Sequence, residues 1–307
     1  MNTKNFAKKD LLSISDLSSE EIIFLLNQTD SFREVNERDI KKVPTLRGKT
    51  VVNLFFEAST RTRASFEIAG KRLSADVINL SSTSSSSRKG ETLRDTARNI
   101  EAMATDVLVV RHPSSGAPEY LGRELSCAVI NAGDGCHEHP TQALLDLYTI
   151  REHKKEFKGL NVSIVGDIAH SRVARSDIAG LLKLGANVTV CGPSTMIPAK
   201  AECLGARVST NLDDAIRNAD VLITLRIQLE RGGGSAFPSA REYANTFGIN
   251  EERLANANSD LLIMHPGPIN RGIEMSPNVA DGPFSVILEQ VEYGVACRMS
   301  ILYLLSG

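Results

Sequence analysis

The chain has few of the features that mark a disulfide-bonded, metal-binding or membrane protein. Its five cysteines are scattered and show no CxxC spacing, which argues against a disulfide framework and against a zinc site. We interpret them as free thiols in a reducing compartment. No apolar run approaches the ~20 residues that cross a bilayer, and no N-terminal segment has the pattern of a cleaved signal peptide. These absences predict a cytoplasmic protein.

The chain also lacks an excess of charge of either sign. Its formal net charge is -2 at pH 7, so no global field favours nucleic acid as a partner. The 307 residues are 42% hydrophobic and 23% charged, a composition typical of a globular enzyme, and the length suggests about two domains. The arginines therefore have to be judged by their positions.

Short apolar runs alternate with segments of helical periodicity, and this alternation occurs twice. The runs are 51–56, 77–80, 107–110 and 128–131 in the first half, then 162–165, 188–190, 221–225 and 261–264. Because the runs are almost wholly apolar, we expect strands buried on both faces, as in parallel sheets covered by helices. The pattern predicts an α/β chain of two doubly wound domains, each with a mainly parallel sheet flanked by helices.

A helix beginning near His139 is expected to join the two domains, because the polar stretch 151–158 follows it. The first domain is predicted to comprise residues 1–145 together with a C-terminal helix over 286–307, and the second residues 146–285. Near the N-terminus, Ser18 and Glu21 have the spacing of a capping box, which predicts a helix start. We expect this helix and the C-terminal helix to pack against the first domain.

Residues 59–63, with the sequence Ser-Thr-Arg-Thr-Arg, lie between the first apolar run and a helical segment. A strand that turns into a helix leaves backbone N–H groups directed at one point, where an anion binds. Hydroxyl and guanidinium groups add donors that suit phosphate or carboxylate. A solvated helix start with a Ser or Thr cap has the same local sequence, so these five residues alone leave both interpretations open.

Arginine follows four separate predicted strands: Arg61 and Arg63, Arg111, Arg172, and Arg226. Ligands of open parallel sheets bind beyond the carboxyl ends of the strands. The arrangement therefore predicts substrates with several negative charges, held between the two domains.

Two other patterns argue against a metal and a dinucleotide. His137 and His139 are two residues apart and do not share a helix face, so they do not form a zinc motif. We expect His139, at a helix start, to be a neutral hydrogen-bond donor that polarises a carbonyl. Residues 166–171 lack the GxGxxG spacing of a dinucleotide site.

Residues 81–87 are all Ser or Thr and lead into Arg88 and Lys89. Such a stretch is too polar to bury. It is compatible with a solvated loop of no function and with a mobile lid that delivers Lys89 to an anion.

Four motifs together resemble the transcarbamoylase family, and the resemblance runs from about residue 10 to the C-terminus. They are the segment 55–63, Arg111-His112-Pro113, His139-Pro140-Thr141-Gln142 and His265-Pro266-Gly267-Pro268. The resemblance implies transfer of a carbamoyl group from carbamoyl phosphate to an amino acid, without a cofactor or a metal. The acceptor it implies is L-aspartate, because the second-domain arginines suit a dicarboxylate. Ornithine is the alternative acceptor, although the His-Cys-Leu-Pro segment of ornithine enzymes is absent, and a catalytically silent scaffold is a third interpretation.

The resemblance also assigns roles to individual residues. It implies carbamoyl phosphate binding by Ser59, Thr60, Arg61, Thr62, Arg111, His139, Gln142, Gly267 and Pro268, with Gln142 and the Pro266 carbonyl holding the carbamoyl NH2. It implies aspartate binding by Lys89, Arg172, Arg226 and Gln228, and catalytic roles for Arg61, Thr62, Lys89, Arg111 and His139.

Members of this family are homotrimers with active sites shared between subunits. By position, Ser85 and Lys89 belong to the loop that crosses to the neighbouring subunit. The resemblance leaves open an association with a regulatory chain or with dihydroorotase, and it implies neither a nucleic-acid nor a membrane partner.

Overall fold

The structure is a computed structural model that describes residues 6–81, 90–227 and 238–306. Its elements up to residue 154 are α1 (Ser19–Glu37), β1 (Thr50–Phe55), α2 (Thr60–Arg72), β2 (Asp76–Ser81), α3 (Leu93–Glu101), β3 (Val107–His112), α4 (Ala117–Glu124), β4 (Ala128–Asp134) and α5 (Pro140–Lys154).

The remaining elements begin at residue 161. They are β5 (Asn161–Val165), α6 (Arg172–Lys183), β6 (Asn187–Cys191), β7 (Arg207–Ser209), α7 (Leu212–Arg217), β8 (Val221–Thr224), α8 (Ala240–Phe247), α9 (Glu251–Leu254), β9 (Leu262–Met264), α10 (Pro277–Ala280) and α11 (Ile287–Leu305). Short 3-10 turns lie at Ser194–Met196 and Ala201–Leu204.

The chain divides into two compact units, one of residues 1–148 with 292–307 and one of residues 149–291. The limits of the units fall within α5 and α11. None of the helices that the described residues form is long and apolar enough to cross a membrane.

The sheet of the first unit has the strand order β2-β1-β3-β4, and all its pairings are parallel. The chain steps from β1 to β2 on one side and then crosses to β3 on the other, so the strand order reverses between β1 and β3. Val52, Leu54, Leu108 and Val110 are buried in a cluster with residues of α3 and α4. This is the doubly wound arrangement that the alternating runs predict.

The two terminal helices pack within the first unit. Ser18 caps α1 through a complete capping box with Glu21, as their spacing predicts. Phe32 of α1 contacts Tyr303 of α11, with ring centroids 5.5 Å apart. The guanidinium of Arg33 lies 5.2 Å from the ring centroid of Tyr293.

The sheet of the second unit has the order β7-β6-β5-β8-β9 and is also parallel throughout. Its order reverses between β5 and β8. The core on one side of the sheet gathers buried residues of β8, β9, α7 and α8, including Leu222, Ile263, Ile216 and Tyr243.

Two strands depart from the expectation of strands buried on both faces. β2 is apolar at Val77, Ile78 and Leu80, yet it is the edge strand of its sheet, and four of its six residues are exposed. β7 was not expected, because its three residues contain a single apolar side chain, Val208. An edge position explains both, since such a strand needs only one neighbour and little apolar sequence.

Candidate active site

The turn between β1 and α2 carries the Ser-Thr-Arg-Thr-Arg segment at the start of a helix. Ser59 is the N-cap residue of α2, but its side chain makes no capping hydrogen bond. The first turn contains Arg61 and Arg63 and no acidic residue, the reverse of the usual preference at the positive end of a helix dipole. A plain hydroxyl cap is therefore not what this sequence forms, and the concentration of positive charge suits a bound anion.

Arg111 lies at the end of β3, beside the end of β1. Its backbone carbonyl accepts a hydrogen bond of 2.8 Å from the N–H of Phe56, and its Nη1 donates to the Ala132 carbonyl of β4 at 3.1 Å. Its Nε lies 3.5 Å from Oε2 of Glu57, with both side chains about 15% exposed. The guanidinium is thus held at the ends of three neighbouring strands. His112 is the next residue in the sequence.

A buried carboxylate shapes the loop that leads to His139. Asp134, 1% exposed, accepts hydrogen bonds from the backbone N–H groups of Gly116 and Glu138 at 2.6 and 3.1 Å. It also accepts from Nδ2 of Asn131 at 2.8 Å and lies 3.1 Å from Nδ1 of His137. These bonds fix the path of residues 135–138. His139 follows, buried at the residue before α5.

The first turn of α5 contains Gln142, whose side chain is anchored one turn further on. Its Nε2 donates to the two carboxylate oxygens of Asp146 at 3.0 and 3.3 Å. Because the amide nitrogen is used in this way, the amide oxygen is the atom that can accept a hydrogen bond from a ligand NH2 group.

These groups lie at or just after the carboxyl ends of β1, β3 and β4, which are adjacent in the first sheet. Ser59 to Thr62 and Arg111 flank the position between β1 and β3 where the strand order reverses. In doubly wound sheets this switch point is where ligands bind.

The second unit repeats the arrangement with its own arginines. Arg172 is the first residue of α6, follows β5 and is 7% exposed, and the preceding Ser171 caps the helix through the N–H of Ala174. Arg226 follows β8 and is half-buried. The strand order of this sheet reverses between β5 and β8, so these arginines also flank a switch point. Gly166 allows the two strand ends to approach, since a Cβ at this position would lie 2.9 Å from that of Leu225.

The turn at 265–268 follows β9, the strand next to β8. The buried His265 donates its backbone N–H to Oε1 of Gln290 at 2.9 Å, and its Nδ1 accepts from the N–H of Gly267 at 2.8 Å. The Gly267–Pro268 bond is cis and Gly267 has a φ of 68°. The turn thus places Gly267 and Pro268 in the second unit.

Sequence reasoning missed three buried carboxylates that hold neighbouring residues in place, Asp134, Asp146 and Glu274. Asp134 stands at a strand end in a Gly-Asp-Gly segment, a signal that could have found it. Glu274 binds a segment 47 residues away in sequence, and no local pattern indicates that.

Three predicted site residues, Ser85, Lys89 and Gln228, lie outside the described residues. The five cysteines are free thiols. Within residues 6–81, 90–227 and 238–306, no group of three or more His, Cys, Asp or Glu side chains could hold a metal ion.

Comparison with known proteins identifies the family. Residues 9–152 match the carbamoyl-P binding domain of the aspartate/ornithine carbamoyltransferases, and residues 158–305 match their Asp/Orn binding domain. The chain belongs to this family, which confirms the resemblance seen in the motifs.

Relatives of high identity narrow the assignment within the family. The aspartate carbamoyltransferase catalytic subunit of Syntrophus aciditrophicus is 61% identical over 98% of both chains. The catalytic subunit of the same name from Syntrophotalea carbinolica is 58% identical over 98% of this chain and 96% of its own.

Solved structures share the fold at lower identity. Aspartate transcarbamoylase from Trypanosoma cruzi in complex with N-(phosphonacetyl)-L-aspartic acid has a TM-score of 0.88 and 31% identity, covering 96% of this chain and 95% of its own. Ornithine carbamoyltransferase from Pyrococcus furiosus has a TM-score of 0.87 and 31% identity, covering 97% of both. Because the two scores are nearly equal, the fold does not distinguish the acceptors.

Proposed function

We propose that this chain transfers the carbamoyl group of carbamoyl phosphate to the α-amine of L-aspartate. The products are N-carbamoyl-L-aspartate and phosphate, and the reaction belongs to de novo pyrimidine biosynthesis. The observation that carries the proposal is the placement of arginines at the switch point of each sheet. A doubly anionic phosphate and a dicarboxylate are the ligands that such a distribution suits.

The first unit provides the phosphate half of the reaction. Ser59, Thr60, Arg61 and Thr62 bind the phosphate at the start of α2, and Arg111 reaches both the phosphate and the carbonyl oxygen. His139, Thr62 and Arg111 polarise that carbonyl. The amide oxygen of Gln142, oriented by Asp146, accepts from the carbamoyl NH2. The turn at Gly267 and Pro268, which belongs to the second unit, binds the same NH2 through the Pro266 carbonyl.

The second unit binds the acceptor. Arg172 and Arg226, with Gln228, receive the two carboxylates of aspartate. Arginine forks bind carboxylates with two parallel hydrogen bonds. Arg172 and Arg226 both lie within residues 158–305, the part of the chain that matches the Asp/Orn binding domain. Carbamoyl phosphate binding is assigned to residues 1–145 with 286–307, and aspartate binding to residues 146–285.

The chemistry requires positioning and charge stabilisation. The uncharged amine attacks the carbamoyl carbon, the carbonyl oxygen becomes an oxyanion, and the tetrahedral intermediate expels phosphate. Arg111, His139 and Thr62 are donors placed in advance for that oxyanion. The departing phosphate accepts the proton that the amine loses, so the reaction needs no separate general base.

The assembly that we propose is a cytoplasmic homotrimer with shared sites. Lys89 and Ser85 of one subunit act at the site of the next, and Lys89 binds aspartate there. Native mass measurement distinguishes a trimer from a monomer, and it also detects a regulatory chain or dihydroorotase bound to it.

An activity assay with two acceptors tests the function. The purified chain is supplied with carbamoyl phosphate and either L-aspartate or L-ornithine, and the carbamoylated product is measured. We expect N-carbamoyl-L-aspartate. Citrulline would identify an ornithine enzyme, and no product with either amine would indicate a silent scaffold.

A further inference from the structure

Glu274 is a carboxylate in the core of the second unit with no role in the proposed chemistry. It is 1% exposed and lies in the chain after the turn at 265–268. Burial raises the pKa of this carboxyl group. Burying a charged group raises the free energy of the folded chain, and hydrogen bonds have to offset this increase.

The carboxylate binds two separate segments of the backbone. Oε1 accepts from the N–H of Ile227 and from Nδ2 of Asn270, each at 2.9 Å. Oε2 accepts from the backbone N–H of Asn270 at 2.9 Å. Nδ2 of Asn270 also donates to the Ile227 carbonyl at 3.0 Å, so both backbone polar groups of Ile227 are held by this pair of side chains.

Both segments adjoin residues of the proposed site. Ile227 is the residue after Arg226, and Asn270 is the second residue after Pro268. β8 ends at Thr224 and β9 at Met264, and the Leu225 N–H still donates to the Val165 carbonyl of β5 at 2.8 Å, so Ile227 and Asn270 lie beyond these pairings. Glu274 joins the segments at Ile227 and Asn270 by hydrogen bonds. These bonds take the place of strand pairing beyond the ends of β8 and β9.

We propose that Glu274 is a positioning residue that fixes the backbone on which Arg226 and the 265–268 turn are mounted. The inference rests on the proposed function, since it assigns Arg226 to the aspartate carboxylates. Glu274 itself touches neither substrate. It sets the position of the guanidinium through the peptide group that follows Arg226.

The variant Glu274→Gln tests this role because it keeps the size of the side chain and changes one oxygen to an NH2 donor. In either orientation of the amide, that donor faces a backbone N–H, at Ile227 or at Asn270, and at least one of these hydrogen bonds is lost. We expect the KM for aspartate to rise at least about tenfold, the factor that corresponds to a lost buried hydrogen bond to a charged group. The affinity for carbamoyl phosphate alone, measured by calorimetry, should fall by less than the aspartate KM rises, because the 265–268 turn contacts only the carbamoyl NH2 and the residues proposed to bind the phosphate lie in the first unit.

Asp281→Asn is the matched control. Asp281 forms an exposed ion pair with Arg271, in the same stretch of chain as Glu274, and the substitution is likewise from acid to amide. We expect unchanged kinetics. Hydrogen exchange adds a readout independent of activity: the backbone amide that faces the new NH2, of Ile227 or of Asn270, should exchange faster in Glu274→Gln, and both should exchange at the wild-type rate in the control.

The outcomes separate the two proposals. A folded Glu274→Gln with unchanged aspartate KM overturns the positioning role, and so does an equal loss of affinity for both substrates. If Glu274→Gln does not fold, Asn270→Ala decides: its half-buried side chain can be removed at lower cost, and an unchanged aspartate KM rejects the role. A wild-type chain that makes no carbamoyl-aspartate refutes the proposed function, while exchange at Ile227 and Asn270 still shows whether Glu274 fixes these segments.

Discussion

The guanidinium of Arg298 lies over the ring of Phe66, 5.2 Å from its centroid. Arg298 belongs to α11 and Phe66 to α2, the helix whose first turn forms the proposed phosphate site. Nη1 of Arg298 also donates to the Ser65 hydroxyl and to the Gly294 carbonyl, both at 3.0 Å. Burial lowers the pKa of Arg298 to about 10, so the group is still charged at neutral pH. Helix α11 therefore contacts α2 through the buried guanidinium of Arg298.

Arg298→Ala should lower the free energy of unfolding by about 3 kcal/mol or more, because it leaves a cavity and removes a cation–π contact and two hydrogen bonds. Arg298→Met fills more of the space and should cost less than Arg298→Ala. Denaturant unfolding measures both. Arg271→Ala is the control, since its ion pair with Asp281 is exposed and its loss should change little. Equal stability of Arg298→Ala and Arg271→Ala would contradict the structural role.

Arg61→Ala should reduce turnover at least about a hundredfold while leaving the fold intact. Arg61 is exposed, so its removal leaves no cavity, but it removes a donor to the phosphate that carries the negative charge in the reaction. Steady-state kinetics and circular dichroism check the two parts of this prediction. Lys71→Ala, on the same helix and paired with Glu67 at the surface, is the control. Near-normal turnover of Arg61→Ala would rule out the phosphate site at the start of α2.

Mixtures of Lys89→Ala and His139→Ala chains should regain activity that neither variant has alone. If Lys89 acts at the site of a neighbouring subunit, a mixed oligomer contains some sites with wild-type Lys89 from one chain and wild-type His139 from the other. The two variants are dissociated together, reassembled and assayed with carbamoyl phosphate and aspartate. Each variant reassembled by itself provides the baseline. A mixture that stays at that baseline would place Lys89 in the site of its own chain.

His112 should titrate below the ordinary histidine pKa of 6.5. Burial lowers its pKa, and its Nδ1 accepts a hydrogen bond of 2.9 Å from the N–H of Ser114, which requires an unprotonated nitrogen. NMR titration of the ring gives the value directly.

The sign of the effect on stability follows from that shift. Above pH 6.5 the ring is neutral in both the folded and the unfolded chain, so its contribution to the free energy of unfolding is fully present. As the pH falls through the lower pKa of the folded chain, the unfolded chain binds the proton first and stability is lost. His112→Asn keeps an acceptor for Ser114 and does not titrate, so its unfolding midpoint should fall less between pH 6.5 and 5. An identical pH dependence of the two proteins would exclude His112 as a source of acid lability.

Much of the fold could be predicted because its signals are local. The capping box of Ser18 and Glu21 occupies four consecutive residues, and the apolar runs of β1, β3, β5 and β8 coincide with buried strands. β7 could not be predicted, because a strand with one apolar residue forms only where a neighbour, here β6, provides its pairing partner. The exposure of β2 depends on its place at the edge of the sheet, which the composition of one strand does not determine.

The position of a candidate site residue could be predicted where it lies next to an apolar run. Arg111 lies at the end of β3, and Arg172 and Arg226 follow β5 and β8, which are adjacent in the second sheet. The hydrogen bond between Gln142 and Asp146 could also have been predicted, because the two residues are one helical turn apart. The bonds of Glu274 to Ile227 could not be predicted, since they depend on two strands ending side by side.

The hydrogen bonds of Glu274 and Asn270 to Ile227 also bear on which substitutions residue 227 can accept. Glu274 and Asn270 recognise the peptide N–H and carbonyl of residue 227, so the identity of its side chain is constrained only by the need to fill a buried apolar space. Leucine, valine or methionine at residue 227 keep the N–H and the carbonyl that Glu274 and Asn270 bind. Proline has no N–H and would remove one of these bonds, so we expect proline to be excluded at residue 227 and apolar replacements that fill the same space to leave the direction of Arg226 unchanged.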